Sequence, residues 1–277
     1  MTGARALGYR LFGKLFDYLL HLRPAEWPIL TVHFLTGSVL AVGLRGVLGR
    51  GGWSLLAGAA AFVIGLNGGT LALNSAFDRD EGDVAYLRRP PPPPRGLAGF
   101  GLGMMGLALL IATRLPIGFY TATALCFLLS VLYSVPPIRL KSVAGMDWAI
   151  NVVGFGFLAP YAGWALTGKP LGEPGRTVLL SFALLFGALY PLTQLYQLDE
   201  DRRRGDRTLA VALGVDRSLA LALLQAGLAF AGFTLAGAAS GWGGIRGGNT
   251  RWAGLAAAAV TWALVLIPWW RARHTMT

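Results

Sequence analysis

The sequence predicts an all-α fold, a polytopic transmembrane helical bundle of about eight spans with cytoplasmic loops capping a central site. Three observations carry that prediction. Of the 277 residues, 55% are hydrophobic and only 13% charged, with mean hydropathy +0.56, whereas a soluble domain carries about 25% charged residues. Apolar stretches that meet the roughly 20-residue demand of a bilayer recur near 28–44, 54–77, 97–113, 116–134, 147–167, 176–197, 218–239 and 252–270. Trp27, Trp53, Trp148, Trp252, Trp269 and Trp270 fall near the ends of these stretches, as an aromatic belt places them.

Ahead of the first span, Arg10, Lys14, Asp17 and His21 are spaced by four, three and four, so a single helix would carry them on one face. Leu11, Phe12, Leu15, Phe16, Leu19 and Leu20 lie mostly opposite. Residues 1–26 therefore read as an interfacial helix lying on the membrane, too polar for a cleaved secretory signal. Residues 27–277 read as one transmembrane domain with two related halves, about 27–134 and 147–239. The spans are apolar all round, and many contain Gly and Ala, which allow close helix approach. The one cysteine, Cys126, sits inside a span and reads as a small buried hydrophobe, so no disulfide framework is expected.

The net charge of +11 fits basic cytoplasmic loops better than a nucleic-acid partner. With the N-terminus inside, all 24 Lys and Arg fall on the cytoplasmic side except Arg45, Arg50, Arg114, Lys169, Arg176, Arg246 and Arg251. That bias orients the chain with both termini in the cytoplasm. The lack of a transit-like segment fits a prokaryotic inner membrane.

Two acidic clusters then fall on the cytoplasmic side, each at the end of an even-numbered span. The first reads Asn74-x-x-x-Asp78-Arg79-x-x-Gly82-Asp83, and the second Gln197-x-x-x-Asp201-Arg202-x-x-Gly205-Asp206. Matched spacing of this kind points to two related halves facing a shared site. The i, i+4 step sets amide and acid on one helix face, and the glycine lets the chain turn so that the second acid points back. Left bare, like charges 4 Å apart at an effective dielectric near 20 would repel by about 4 kcal/mol per pair, so a cation must offset them. Carboxylates and amides without histidine suit Mg²⁺, which shares its shell with phosphates, and do not suit zinc.

The cations for such phosphates are at hand. Arg79, Arg88 and Arg89 follow the first cluster; Arg202, Arg203, Arg204 and Arg207 follow the second. A third loop, residues 132–151, adds Tyr133, Arg139 and Lys141 behind the stiff Pro136-Pro137. Arginine suits bidentate phosphate contacts and lysine a point charge. For Arg203 and Arg204, the positive-inside bias is explanation enough. Residues 88–96, "RRPPPPPRG", must be extended; a rigid loop beside the site is favoured over a docking peptide. Tyr133, Asn151, Tyr190 and Gln194 could orient an acceptor, although hydrogen bonding within the bundle is the more ordinary role for each.

These motifs resemble the UbiA superfamily of intramembrane prenyltransferases, whose first signature is Asn-x-x-x-Asp-x-x-x-Asp. Asn74 and Asp78 match it; the third acid falls one place late at Asp83, with Asp80 as a substitute. Of the second signature, Asp-x-x-x-Asp followed by Arg, Gly and Thr, the residues Asp201, Arg202, Gly205 and Thr208 match. Gln197 replaces its first acid, with Asp199 and Glu200 nearby. Tyr133 to Lys141 match the family's YSxPPxRLK loop, and Arg23 to Trp27 its RPxxW stretch. The similarity covers about residues 20–215; the family commonly has nine helices.

The resemblance implies Mg²⁺-dependent transfer of an isoprenyl group from a prenyl diphosphate to an unidentified acceptor, aromatic or lipid-like, within the membrane. It implies metal ligation by Asn74, Asp78, Asp80, Asp83, Gln197, Asp199 and Asp201. Prenyl diphosphate would be held by Arg79, Arg88, Tyr133, Arg202 and Arg207, with Asp78, Asp201, Arg139 and Lys141 at the reacting centre. Two other readings stay open on the residues: a cation-coupled transporter and a non-catalytic membrane scaffold. A transporter places its acids near mid-membrane, whereas these stand at helix ends.

Overall fold

A computed structural model describes residues 3–49, 52–78, 83–84, 87–243 and 248–275. Apart from the isolated bridges Val84–Leu87 and Val143–Arg207, its regular structure is helical. The chain forms two compact units, residues 1–139 with 161–169, and residues 140–160 with 170–277.

In the first unit, the N-terminal segment is two helices rather than one: α1 (Gly3–Phe12) and α2 (Phe16–His21). Gly13, at φ +54°, breaks the run, since that backbone conformation is cheap for glycine alone. The expected single polar face is lost with it. Arg10 and Lys14 stay exposed, Asp17 accepts from the Tyr9 hydroxyl at 2.7 Å, and His21 is buried. Leu7, Leu11, Phe12 and Leu15 are exposed. Leu22 packs with Ala72 and Leu97, flanked by Tyr18, Leu19 and Trp27, docking the segment onto its unit.

The helices that follow are α3 (Trp27–Gly49), α4 (Trp53–Ala59) and α5 (Gly69–Asp78), the last two joined by a π-helical stretch, Ala60–Gly68. α6 (Leu97–Ala112) and α7 (Ile117–Ser134) come next. Residues 90–94 between α5 and α6 have no regular structure, in keeping with five consecutive prolines. Phe34, Phe62 and Phe119 meet at the centre, with ring centroids 5.5 to 6.3 Å apart.

Small residues set how closely these helices approach. A Cβ on Gly69 would lie 2.6 Å from the Gly101 carbonyl oxygen, and one on Gly101 2.7 Å from that of Gly69. At Gly163 a Cβ would run into the carbonyl oxygen of Phe34. Gly163→Ala is therefore expected to destabilise the protein by about 1–3 kcal/mol through overpacking. Thermal unfolding in nanodiscs checks this; an unchanged midpoint would mean that the backbones separate freely.

In the second unit, α8 (Met146–Asn151) continues through a π-helical stretch, Val152–Leu158, into α9 (Ala159–Ala165), whose residues from 161 onward belong to the first unit. Then come α10 (Glu173–Gln194), α11 (Leu198–Arg204), α12 (Leu209–Ala239) and α13 (Gly248–Ala272). Ala188 and Leu192 of α10 pack against Leu219, Ala222 and Ala226 of α12, with Leu266 of α13. The span expected from residue 218 belongs to a helix that starts at Leu209. Thr208 caps it by accepting from the Val211 N–H, and Gly214 (φ +70°) interrupts it.

Among the described residues, six helical segments are long and apolar enough to cross a bilayer: Pro24–Gly49, Trp53–Asp78, Ile117–Ser134, Glu173–Arg204, Leu209–Ala239 and Asn249–Thr275. The apolar helix Leu97–Ala112 is shorter, and residues 146–165 are helical with the π-helical interruption. Helices thus occupy each of the eight expected stretches.

Candidate active site

The first acid-bearing arm is the end of α5. Asn74 and Asp78 are one turn apart, and Asp78 is the last residue of the helix, buried at 9% exposure. The Arg139 guanidinium stands 3.9 Å from its carboxylate, and the Ser134 hydroxyl lies 3.4 Å from the Asn74 side-chain oxygen. Arg139 itself adopts φ +35°, a conformation unusual outside glycine. Tyr133, half-buried, precedes Ser134 in the last turn of α7. Ser75 lies 3.4 Å from Nη2 of Arg23, which is itself buried and paired with Glu26 at 3.6 Å.

Arg79, Asp80 and Gly82 lie outside the described residues. Asp83 and Arg88, expected beside Asp78, belong to the loop beyond it. There the Asp83 carboxylate accepts from the Arg89 N–H at 2.8 Å, and the Arg88 and Arg89 carbonyls accept from Arg5 at 3.0 Å.

The second arm is α11 and the turn after it. Asp201 is buried at 5% exposure and accepts from the Thr208 hydroxyl at 3.3 Å and from Arg204 at 3.2 Å. Gly205 (φ +76°) turns the chain, so that the Asp206 N–H donates to the Asp201 carbonyl at 2.9 Å. Arg204 also reaches Glu200 at 3.4 Å and Asp206 at 3.8 Å. The positive-inside bias thus undersells Arg204, which is the cation of this cluster. The expected cation, Arg202, is exposed and pairs at 3.5 Å with Asp199, which is exposed as well. Gln197 is half-buried just before α11, and Arg207 is exposed, its N–H donating to the Ser142 carbonyl at 3.1 Å. Lys141 lies in the 3₁₀ turn Leu140–Ser142.

Asp147 is a residue that motif reasoning passed over. It is fully buried; one carboxylate oxygen accepts from the Gly145 N–H (2.9 Å), the other from Gln194 Nε2 (3.1 Å) and the Leu209 N–H (2.9 Å). It thereby ties the start of α8, the end of α10 and the start of α12 together, next to Thr208. Gln194 is engaged here, and Asn151 donates to the Asp147 carbonyl at 2.8 Å, so both serve structure. An acid at the head of an apolar stretch was the signal available in the sequence.

The donor chemistry of both arms is hard oxygen without histidine or cysteine, which fits Mg²⁺. No group of three or more acids, histidines or cysteines that could hold a metal ion occurs among the described residues.

Residues 32–275 match the UbiA prenyltransferase family. The chain belongs to this family. It is accordingly an integral membrane protein. The lycopene elongase/hydratase of Halobacterium salinarum is 28% identical to it over 165 residues, which is 57% of this chain and 58% of that protein. The chain thus spans less than two thirds of that relative. In fold, this UbiA-family chain is similar to a UbiA homolog from Archaeoglobus fulgidus bound to DMAPP and Mg²⁺, with a TM-score of 0.71 at 18% identity. The same homolog bound to GPP and Mg²⁺ gives a TM-score of 0.72; in both comparisons, 94% of this chain and 96% of that chain are covered.

Proposed function

We propose that the protein transfers an isoprenyl group from a prenyl diphosphate to an unidentified acceptor, aromatic or lipid-like, within the membrane, and that the reaction depends on Mg²⁺. The observation that carries this reading is the buried Asp78 carboxylate at a helix end, one turn beyond Asn74 and 3.9 Å from the Arg139 guanidinium. A buried acid with a hard-oxygen neighbour and a cation beside it suits a metal-bound diphosphate. The ligands of the A. fulgidus homolog, DMAPP or GPP with Mg²⁺, and the name of the H. salinarum relative point to the same class.

Asn74, Asp78 and Asp201 would hold Mg²⁺, with Asp80, Asp83, Gln197 and Asp199 as further oxygen donors. The ion would neutralise charge on the diphosphate. Arg79, Arg88, Tyr133, Arg202 and Arg207 grip the diphosphate, and Arg204 fixes Asp201. As the allylic carbon–oxygen bond breaks, its electron pair stays on the diphosphate, and Arg139 and Lys141 stabilise the growing negative charge. Apolar helices exclude water, which would otherwise quench the allylic cation. Action of both arms on one diphosphate rests on the repeat in the sequence. The basic-residue bias supports a cytoplasmic site, in a prokaryotic cytoplasmic membrane.

The test is melting of the full chain in lipid nanodiscs with a non-hydrolysable prenyl diphosphate analogue, in Mg²⁺ and in EDTA. Ligand at 100 times its dissociation constant should stabilise the protein by about 2.7 kcal/mol in Mg²⁺ and not in EDTA. Absence of any shift, across chain lengths and in folded protein, would sink the reading.

A further inference from the structure

Two rungs of polar side chains cross from α5 to α7 within the first unit. One is the contact of Ser134 with Asn74 beside the first acid arm. The other lies one turn further into the span, where the hydroxyl oxygens of Thr70 and Ser130 stand 2.8 Å apart. Thr70, Asn74 and Asp78 are four residues apart on one face of α5, which places Thr70 about 6 Å from Asn74 along the helix axis. Between Gly69 and Asn74, only Thr70 and Asn74 escape burial, so the space in front of this stretch lies before the face they share. Ser130 closes the rung at 8% exposure.

This rung has more acceptors than protons. Thr70 Oγ1 reaches the Leu66 carbonyl at 2.8 Å and the Met105 sulfur at 4.0 Å, and Ser130 Oγ reaches the Cys126 carbonyl at 2.7 Å. Each hydroxyl carries one hydrogen and two lone pairs. The hydrogens are claimed by the two backbone carbonyls, or by one carbonyl and the other hydroxyl. Either way, at least three of the four oxygen lone pairs stay unused, and no proton is left to donate. The rung is an electron-rich point in an apolar stretch of the span, and a polar group at that depth is most often functional.

Position decides what that point meets. With the diphosphate held at Asn74 and Asp78 and the prenyl tail running into the bundle, the first prenyl carbon comes level with Thr70 and Ser130. We infer that Thr70 and Ser130 are catalytic residues that face this allylic carbon and stabilise its positive charge; the inference rests on the transferase reading. As the carbon–oxygen bond breaks, its electron pair leaves with the diphosphate, and the charge spreads over the first and third prenyl carbons. The hydroxyl lone pairs form no bond to it; they act as fixed dipoles where water is excluded. The competing role, a plain link between two helices, would govern stability and leave ionisation untouched.

The test uses GPP carrying ¹⁸O at its bridging oxygen, given with Mg²⁺ and no acceptor to the full chain in nanodiscs. Reversible ionisation scrambles the label into the neighbouring phosphate oxygens, which ³¹P NMR of the recovered GPP reads, while the melting shift reads binding. Thr70→Val and Ser130→Ala should each slow scrambling by about tenfold at unchanged GPP affinity, and Thr70→Ser should restore most of the rate. Ser38→Ala removes a buried hydroxyl bond of 2.6 Å to the Gly163 carbonyl elsewhere in the same unit, and should lower the melting point without slowing scrambling. Rates within about twofold of wild type in both rung variants, or an equal loss in Ser38→Ala, would overturn the inference. So would wild-type protein that binds GPP without scrambling it, since no cation would then form for the hydroxyls to face. Failure to bind GPP at all is a different result, which sinks the transferase reading and the inference with it.

Discussion

Asp78→Asn is expected to lower prenyl transfer by about 10²–10³-fold while leaving the protein folded. Asparagine keeps the volume at the end of α5 but removes the charge that faces Arg139 at 3.9 Å, together with one hard oxygen donor. The lost interaction is one that strengthens as charge moves onto the leaving diphosphate, so the effect should fall mainly on kcat. Initial rates in nanodiscs across a Mg²⁺ titration are the measurement. Asp78→Glu, which retains the charge, should recover part of the rate and separate charge from shape. A rate for Asp78→Asn within about threefold of wild type, in protein that melts normally, would remove this carboxylate from the reaction and leave Asp201 to carry it.

Asp147→Ala should act on stability instead, costing about 3–5 kcal/mol. The carboxylate is fully buried, and removing it leaves the N–H groups of Gly145 and Leu209 and the Gln194 amide without their acceptor. Asp147→Asn should cost less, because one oxygen remains, yet its NH₂ must face a donor on one side or the other. Thermal unfolding of both variants in nanodiscs would give wild type, then Asn, then Ala in falling order. An alanine variant as stable as wild type would mean that the start of α12 is held by other contacts. The same loss should loosen Thr208 against Asp201, so residual transfer is expected to fall with stability rather than independently of it.

Much of the architecture was legible because hydropathy is a property of each stretch by itself. A run of apolar residues near 20 long makes a helix wherever it stands, and helices were found at all eight expected stretches. The pairing of Asn74 with Asp78 was equally local, since two residues four apart share a helix face. The turn at Gly205 belongs with them, because glycine next to a charged helix end is a short-range signal.

What only the tertiary structure decided involves partners distant in sequence. Spacing put His21 on a polar face, but the break at Gly13 and the docking of Leu22 on Ala72 and Leu97 buried it. The motif singled out Arg202 and left Arg204 to the positive-inside bias, yet the turn of α11 gives Arg204 to Asp201 and leaves Arg202 exposed beside Asp199. Asp147 was one acid among thirteen until Gln194 and Leu209 closed on it, and Arg5 had no visible role until the loop carbonyls of Arg88 and Arg89 came within its reach. Local pattern determines which segments are helical and which residues share a face of one unbroken helix. Which charge meets which depends on chain closure over tens of residues, and no short-range period in the sequence records that.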